Sequence, residues 1–414
     1  MNVRTQLPGS TDVLIVGAGP VGLTLAVSLA EAGVPAVLVD KQAAGANTSR
    51  ACVVHSRTLE VLRDLKVSDE LVNRGVIVPR FTVRDRDRVL MTIDFDDLPT
   101  DYPYTLMIPQ DSTERVLLDR LHSAGGRVHR PYELMSLAQN GDGVTGTMAG
   151  GETIRASYAV GADGMHSTVR EYTGIVFTGD TYAQLFVLAD VHMDWHLPET
   201  EVMLYYSPAG LVVVSALPGG RHRIVATVDD APEQPSAGFV QALLDARGPE
   251  QQPARVRDVV WSSRFRVHHR LADHYRAGRM FLAGDAAHVH SPAGGQGMNT
   301  GIQDAIALAS RLTAVLRDGA AEIVLDGYET ERRPVAAEVV ALTHRITRVA
   351  TIDSVPLRKT RNALLRALDW VPAVHHSLAM KLSELSVDPD RAANRTKAPA
   401  VTVTAPKSSQ PPRA

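Results

Sequence analysis

Cysteine is almost missing from this chain. Cys52 stands alone, so neither an internal disulfide nor a dithiol redox centre can form within one copy. A basic excess is missing too: 43 Lys and Arg face 46 Asp and Glu, for a net charge of -3. That balance gives no general pull toward nucleic acid or an anionic membrane. No uncharged apolar run approaches the roughly 18 residues of a spanning helix. The opening MNVRTQLPGSTDV has no apolar signal core. These absences leave a soluble, cytoplasmic protein as the default expectation. There is no HExxH run, cysteine pair or histidine cluster at ligand spacing, so no metal is expected. Apolar residues are plentiful, 44% of 414, enough for a large core and roughly two or three domains. No internal repeat is visible.

The most informative stretch is Gly284-Asp285-Ala286-Ala287-His288. The apolar run Met280 to Ala283 before it reads as a buried strand. Pro292, Gly294, Gly295 and Gly297 then deny regular structure until Asn299. From there Ile302, Ala305, Ile306, Ala309, Leu312 and Leu316 recur at helical spacing. A strand therefore ends on a carboxylate, a bare loop follows, and a helix begins. A helix start presents unpaired N–H groups and partial positive charge. Asp285 can accept from ligand hydroxyls while the helix start stabilises an anion. A cofactor with a polyol chain that becomes anionic on reduction fits both, and a flavin is one. A tight strand-to-helix turn whose Asp caps a neighbour fits the same residues.

Nearer the start, the apolar Asp12 to Val16 leads into Gly17-Ala18-Gly19-Pro20-Val21-Gly22, a helical run to Ala32, and a second strand, Ala36 to Val39, that ends at Asp40 and Lys41. This is the dinucleotide fingerprint in its required context. Gly17 allows the turn, Gly19 lets backbone approach a pyrophosphate, Gly22 lets helix and strand pack closely, and Asp40 can accept from ribose hydroxyls. The motif alone does not separate FAD from NAD. Arg50 precedes a helix and is either a solvated loop charge or a ligand contact; His55 reads as structural. Gln110 precedes another helix, with Asp111 or Ser112 as its N-cap, and serves either a ring edge or a neighbouring backbone group. A meander with turns at 140–143 and 150–151 ends in Gly161-Ala162-Asp163-Gly164, again a strand ending on a carboxylate. Residues 176–266 are rich in strand candidates, with one helix near 236–246. Phe186, Met203, Tyr205 and Tyr206 line an apolar pocket or simply pack within the sheet. Tyr328 to Pro334 precedes a helix through Ala350, and 357–385 is helical with a break near Pro372. The Pro-, Lys-, Ser- and Thr-rich end, 391–414, is expected to be disordered.

The ordered triple of GxGxxG, Gly161-Ala162-Asp163-Gly164 and Gly284-Asp285 resembles the class A, single-component FAD-dependent aromatic hydroxylases, the para-hydroxybenzoate hydroxylase family, from about Asp12 to Ala350. The resemblance implies an α/β fold. A Rossmann-like FAD-binding domain of the glutathione-reductase type (1–77, 105–175, 268–345) would carry an inserted β-sheet substrate domain (78–104, 176–267) and C-terminal helices (346–390). It implies FAD contacts from Gly17, Gly19, Pro20, Val21, Gly22, Asp40, Lys41, Arg50, Gln110, Asp163, Asp285, Gly295, Gly297, Met298 and Asn299. Backbone amides of Gly297, Met298 and Asn299 would meet the pyrimidine edge, and Pro292 would lie over the ring. His166 stands where the family usually has Arg or Lys. The thioredoxin-like domain of larger relatives is not expected, because only about 60 residues follow Ala350.

The activity implied is a monooxygenase. NADH or NADPH reduces FAD when substrate is bound, O2 gives a flavin C4a-hydroperoxide, and one oxygen passes to a small phenolic or polyketide-like molecule. The lone cysteine removes the disulfide-reductase type of flavoenzyme. A halogenase is disfavoured because Trp195, Trp261 and Trp370 form no Trp-x-Trp. An epoxidase or reductase acting on isoprenoid chains, and a flavoprotein that binds an aromatic without turning it over, remain as rivals.

Overall fold

The computed structural model describes residues 6–45, 51–352 and 354–387. Strand β1 (Ser10–Val16) is followed by α1 (Pro20–Glu31) and β2 (Ala36–Val39). Val13, Leu14 and Ile15 are wholly buried, as a continuous apolar run in a covered parallel sheet should be. Pro20 opens α1, where its fixed φ and missing N–H cost nothing. Beyond two short helices (Ser56–Arg63 and Ser68–Arg74) and the strands between 76 and 107 lies helix α2 (Gln110–Ser123); further along come β3 (Thr153–Gly161) and the short α3 (Thr168–Thr173). Ser167 caps α3 by accepting the Arg170 N–H.

Four strands then build a second sheet: β4 (Phe177–Asp194), β5 (Glu201–Ser207), β6 (Gly210–Leu217) and β7 (Arg221–Val228). After α4 (Ala237–Arg247), β8 (Arg255–Ala272) returns along β4. Strand β9 (Met280–Leu282) re-enters the first sheet. The helices α5 (Gly297–Leu316), α6 (Asp326–Ala350), α7 (Val355–Leu368) and α8 (Pro372–Leu382) complete the described chain.

In the first sheet β1 lies between β2 and β3, and β9 flanks β3, all parallel. The register is what matters. Val16 pairs with Val39 on one side and Gly161 on the other, and Gly161 pairs with Leu282. Four strands therefore stop at one level. The second sheet has eight strands, with the hairpin Arg80–Asp85 and Arg88–Asp94 at one edge and β8 near the other. One face packs on α4. The opposite face meets residues near Cys52 and Met107 and the C-terminal helices.

The α/β class implied by the motifs is the one found, and four local expectations change. Helix α5 starts at Gly297, so Asn299 lies inside its first turn. Helix α2 is capped by Pro109, whose carbonyl accepts the Ser112 and Thr113 N–H groups, so Gln110 is its first residue and neither Asp111 nor Ser112 is the cap. Helix α6 begins at Asp326 and runs through Pro334. Arg332 and Arg333 beside that proline are held by Asp304 and the Ala272 carbonyl, tertiary bonds that offset the lost helical one. Phe186, Met203, Tyr205 and Tyr206 do not share a pocket: Met203 and Tyr205 pack with α4, Tyr206 with the opposite core and Phe186 with a third. Neighbours on one strand alternate faces, which separates Tyr205 from Tyr206. The expected disordered end lies outside the described residues.

Helix α1 crosses close to α5 because α5 carries glycine where Val21 of α1 packs against it. A Cβ on Gly301 would stand 2.7 Å from Val21 Cγ2 and 3.1 Å from Gly284 Cα. Gly301→Ala should therefore lower stability by about 1–3 kcal/mol. Adding Val21→Ala removes the nearest obstruction, so the double variant should melt above the single one. Equal melting of Gly301→Ala and the parent would refute this contact.

Candidate cofactor site

The loop after each strand is zipped to its neighbour's end. Gly17 N–H donates to Val39 O (2.8 Å), Ala162 N–H to Val16 O (2.8 Å) and Ala283 N–H to Gly161 O (2.9 Å). Gly17 sits at φ +102°, and a Cβ there would be 2.3 Å from Ala162 O. The first two motifs touch only because this residue has no side chain. A Cβ on Gly22 would fall 1.8 Å from Gly17 O, so it too is sterically required. Gly19 differs: nothing lies within 4 Å of its would-be Cβ. It opens α1, whose start has no side-chain cap and no acid in its first turn. An open space in front of an uncapped helix start fits a pyrophosphate.

Asp40 fastens this loop. Its Oδ2 accepts the Ala18 N–H (2.7 Å) and its Oδ1 the Gln42 N–H (2.7 Å). A carboxylate has lone pairs beyond these two for ribose hydroxyls. Lys41 beside it is exposed. Arg130, which local sequence did not single out, reaches the Ala18 carbonyl (3.4 Å). Gln110 accepts the Ala51 N–H (3.2 Å) and donates to Glu114 (2.8 Å). Burial pushes the Glu114 carboxyl up, against the pull of that bond and of Arg130. Arg50 lies outside the described residues. Asp163 accepts the Val169 N–H (3.2 Å) at the start of α3, and its other oxygen is buried without a partner among the described residues. Burial raises its carboxyl as well, opposed by Ser167 and Val169.

Asp285 occupies a single turn, Gly284–Ala286, and is exposed. Its Oδ1 lies 4.0 Å from the point a Cβ on Gly297 would occupy, and His290 Nε2 lies 3.6 Å from the same point. That nitrogen has no hydrogen-bond partner among the described residues. Burial holds the His290 ring neutral, its pKa lowered to about 4. Gly297, Met298 and Asn299 open α5, again with no side-chain cap and no acid in the first turn. Their N–H groups precede any intrahelical acceptor. Pro292 is half-buried, and Gly295 backs onto Val53, 2.7 Å from its would-be Cβ. A carboxylate, a helix start and a neutral imidazole edge thus surround one bare backbone segment, a donor and acceptor set that fits a flavin.

The loop is held from behind. Asn299 Oδ1 accepts the His55 N–H (2.9 Å) and its Nδ2 donates to Val53 O (2.9 Å) and Gly295 O (2.7 Å). His55 Nε2 meets Gly294 O at 2.7 Å. Deeper still, Asp304 accepts from the Gly284 N–H (3.2 Å), His288 Nε2 (2.7 Å) and Arg332 Nε (2.8 Å). The His288 and Arg332 charges draw the Asp304 carboxyl below its usual range despite burial.

A family model described as FAD binding domain matches residues 10–343. The chain is 40% identical over 351 residues to the 6-methylpretetramide 4-monooxygenase of Streptomyces rimosus, covering 82% of this chain and 62% of that protein. Among solved structures, p-nitrophenol 4-monooxygenase from Pseudomonas putida superposes with a TM-score of 0.83 at 28% identity, over 91% of this chain and 99% of that one. The chain belongs to the FAD-dependent aromatic monooxygenases. The anhydrotetracycline hydroxylase of Streptomyces rimosus superposes with a TM-score of 0.77 at 33% identity, covering 91% of this chain and 76% of that one.

Within this monooxygenase fold, sequence reasoning missed Asp304, Arg332, His290, Arg130 and Glu384. One signal was available: Asp304 interrupts the apolar stripe of α5 beside Ala305. Arg130 and Glu384 carry no local signal.

Removing the Asp285 carboxylate should weaken FAD binding roughly 10- to 150-fold, the loss of about 1.5–3 kcal/mol from a charged acceptor. Asp285→Ala should purify nearly colourless with unchanged far-UV circular dichroism; full flavin occupancy would show the ribityl chain lies elsewhere.

Burial also lowers His55 to about 4 from 6.5. A histidine lowered on folding binds its proton more readily when unfolded, so stability falls as pH drops from about 6.5 to about 4. Glu384 runs the other way. Burial raises it to about 7 from 4.5, so stability is lost as pH climbs through that window. Urea midpoints across this range should show the acid-side loss shrink in His55→Gln and the neutral-side loss shrink in Glu384→Gln.

Proposed function

We propose that this chain uses NADH or NADPH and O2 to hydroxylate a phenolic or polyketide-like aromatic molecule. The observation that carries the reading is the common level of the strand ends, which brings Gly19, Asp40, Asp285 and the start of α5 to one edge of the sheet. Bound FAD would supply electron transfer and oxygen activation; the chain's own residues bind, orient and exclude water. Gly19 and Asp40 would hold the ADP half and Asp285 the ribityl hydroxyls. The start of α5 would favour negative charge on the pyrimidine edge.

The substrate would lie under the sheet face that looks toward Cys52. On β4, Phe186 and Asp190 share this face, opposite Val187 and Ala189, which pack on α4. Phe186 and Phe265 rings stand 5.9 Å apart. Arg223 is wholly buried here and paired bidentately with Asp190 at 2.7 and 2.9 Å. Because Asp190 already matches that guanidinium, Arg223 offers no unbalanced charge to a carboxylate substrate. The face suits a neutral aromatic with hydroxyl or carbonyl edges, in keeping with the 6-methylpretetramide, anhydrotetracycline and p-nitrophenol named for the similar proteins.

Support for a nicotinamide co-substrate comes from β8. Arg266, His268 and Arg270 alternate onto one side of the strand. Burial lowers His268, and the nearby Arg270, His166 and Arg266 lower it further. A cationic strip beside the Asp163 loop suits a dinucleotide pyrophosphate.

Purified, flavin-loaded protein should oxidise NAD(P)H faster when phenols or polyketide aromatics are added, and the product should gain one oxygen by mass. Tight aromatic binding without NAD(P)H consumption would instead identify a non-catalytic flavoprotein.

A further inference from the structure

Just after α8 a short strap, residues 382–384, is bonded residue by residue to the elements around the α5 start. Gln296 Nε2 donates to Leu382 O (2.9 Å) and the Arg57 N–H to Ser383 O (3.2 Å). Thr300 Oγ1 and Gln303 Nε2 donate to the two carboxyl oxygens of Glu384, the first at 3.0 Å. Thr300 lies in the first turn of α5 and Gln303 in the next. Glu384 holds φ +59°, a left-handed backbone that a glutamate keeps only where its surroundings impose it. It is 4% exposed. A carboxyl is thus pressed from behind against the helix start at the candidate cofactor site.

The buried charges there do not cancel. Asp304 and Arg332 answer each other at 2.8 Å, and Glu384 has no ion-pair partner among the described residues. Asp304, on α5, opposes its ionisation; Arg332, on α6, favours it but is committed to Asp304. Glu338 of α6 and Lys381 of α8 are exposed, at the rim of a small cavity whose walls are Val335, Val339 and Leu342. His55, held neutral by burial, stands on the far side of Gln296, 3.1 Å from its amide nitrogen. Burial raises the Glu384 carboxyl to about 7, against the Thr300 bond, Arg332 and the Gln303 bond. Either charge state satisfies the strap. A protonated carboxyl can donate to Thr300 Oγ1, which then donates to Gln296 O (3.1 Å), while its other oxygen still accepts from Gln303.

We propose that Glu384 is a proton-linked counterweight to ligand charge at the α5 start: it is ionised while the bound cofactor is neutral there and takes up a proton when reduction makes the cofactor negative. This rests on the flavin placement proposed above. Two negative charges that share one weakly screened helix start raise each other's proton affinity. The balance is simple. The reductant delivers two electrons and one proton to the flavin, a second proton from solvent ends on a Glu384 oxygen, and the total charge of the pair is the same before and after. Glu384 acts through α5, as a positioning residue that need not touch the cofactor.

The test is the flavin midpoint potential from pH 6 to 9, with dithionite as reductant, in the FAD-loaded parent and in Glu384→Gln. One proton per two electrons gives a fall of about 30 mV per pH unit, and a second proton doubles it. The parent should follow the shallow slope at acid pH, steepen from about pH 7 toward ~60 mV per unit, and return to the shallow slope once Glu384 is ionised in both redox states. Glu384→Gln should keep the shallow slope throughout. The two should agree near pH 6, and a tenfold shift in Glu384 proton affinity would leave the variant about 30 mV higher at pH 9. Reduced-minus-oxidised infrared spectra of the parent near pH 7.5 should gain a protonated carboxyl band that Glu384→Gln lacks. Equal slopes in both proteins, or no such band, overturn the proposal. If the variant loses its flavin, the parent's own break in slope and carboxyl band decide. A parent that binds FAD but does not oxidise NAD(P)H faster with phenols would defeat the functional reading alone, because dithionite supplies the electrons here.

Discussion

Everything at the candidate cofactor site depends on where four strands stop. Val39, Val16, Gly161 and Leu282 are lateral neighbours in one parallel sheet. Each next segment leaves at the same height, so residues from positions 17, 40, 163 and 285 meet although they are far apart in the chain. A one-residue slip of any of these strands would carry its tip out of this level and exchange side chains between the sheet's two covered faces. Level strand ends impose crowding, and glycine answers it. Gly17 and Gly22 stand where any Cβ would collide with backbone. Gly19 stands where a Cβ would meet nothing. The same motif thus holds glycines for two physical reasons, packing at two positions and ligand approach at the third.

A second constraint keeps the α5 start in place. Asp304, fully buried, joins the Gly284 N–H to His288 and Arg332. Burying an isolated carboxylate is costly, whereas one with three donors satisfies its lone pairs. The geometry bought is specific: the Gly-Asp turn, α5 and α6 are tied through one side chain. Glu384 adds a strap from the far side, accepting from Thr300 Oγ1 (3.0 Å) and from Gln303. A helix start can stabilise charge on a ligand only if it does not move away when that charge appears. Satisfied buried bonds behind the loop provide that rigidity, and none of their members needs to touch the ligand.

The two sheets are joined by strands that belong to both regions. β8 runs from Arg255 to Ala272 without a break and pairs at its end with His288–Val289, immediately after the Gly-Asp turn. Pairing along β4 and β8 shows register shifts near Thr181, Asp190 and His192. Such irregularities increase local twist, and a twisted pair can lead from the cofactor edge up into the second sheet. The second sheet's face toward Cys52 is therefore fixed relative to the strand ends by continuous backbone, not by loop contacts alone.

This division explains what could be read from sequence. The strand tips were legible because each writes its signal within a few residues: an apolar run, then a glycine, a carboxylate or both. Helices α1 and α5 were legible through their apolar period. Start positions were less so, since Pro109 caps α2 by its carbonyl while Asp111 or Ser112 looked the better cap by side chain. Pro334 misled because the bonds that compensate it come from Asp304 and Ala272, distant in sequence. The pairings Asp304–Arg332, Asp190–Arg223 and Gln303–Glu384 were invisible for the same reason. A buried charge and a solvated one are spelled identically, and only the fold decides which is which. Tyr205 and Tyr206 were read as candidates for one pocket, although period-two alternation turns them to opposite faces and only the fold shows which core each meets. The candidate site was thus readable wherever the ligand must touch backbone, because glycine is the one residue whose presence reports on space. Where function rests on side-chain pairs behind that backbone, the information is held in contacts across the chain, and no window of sequence contains it.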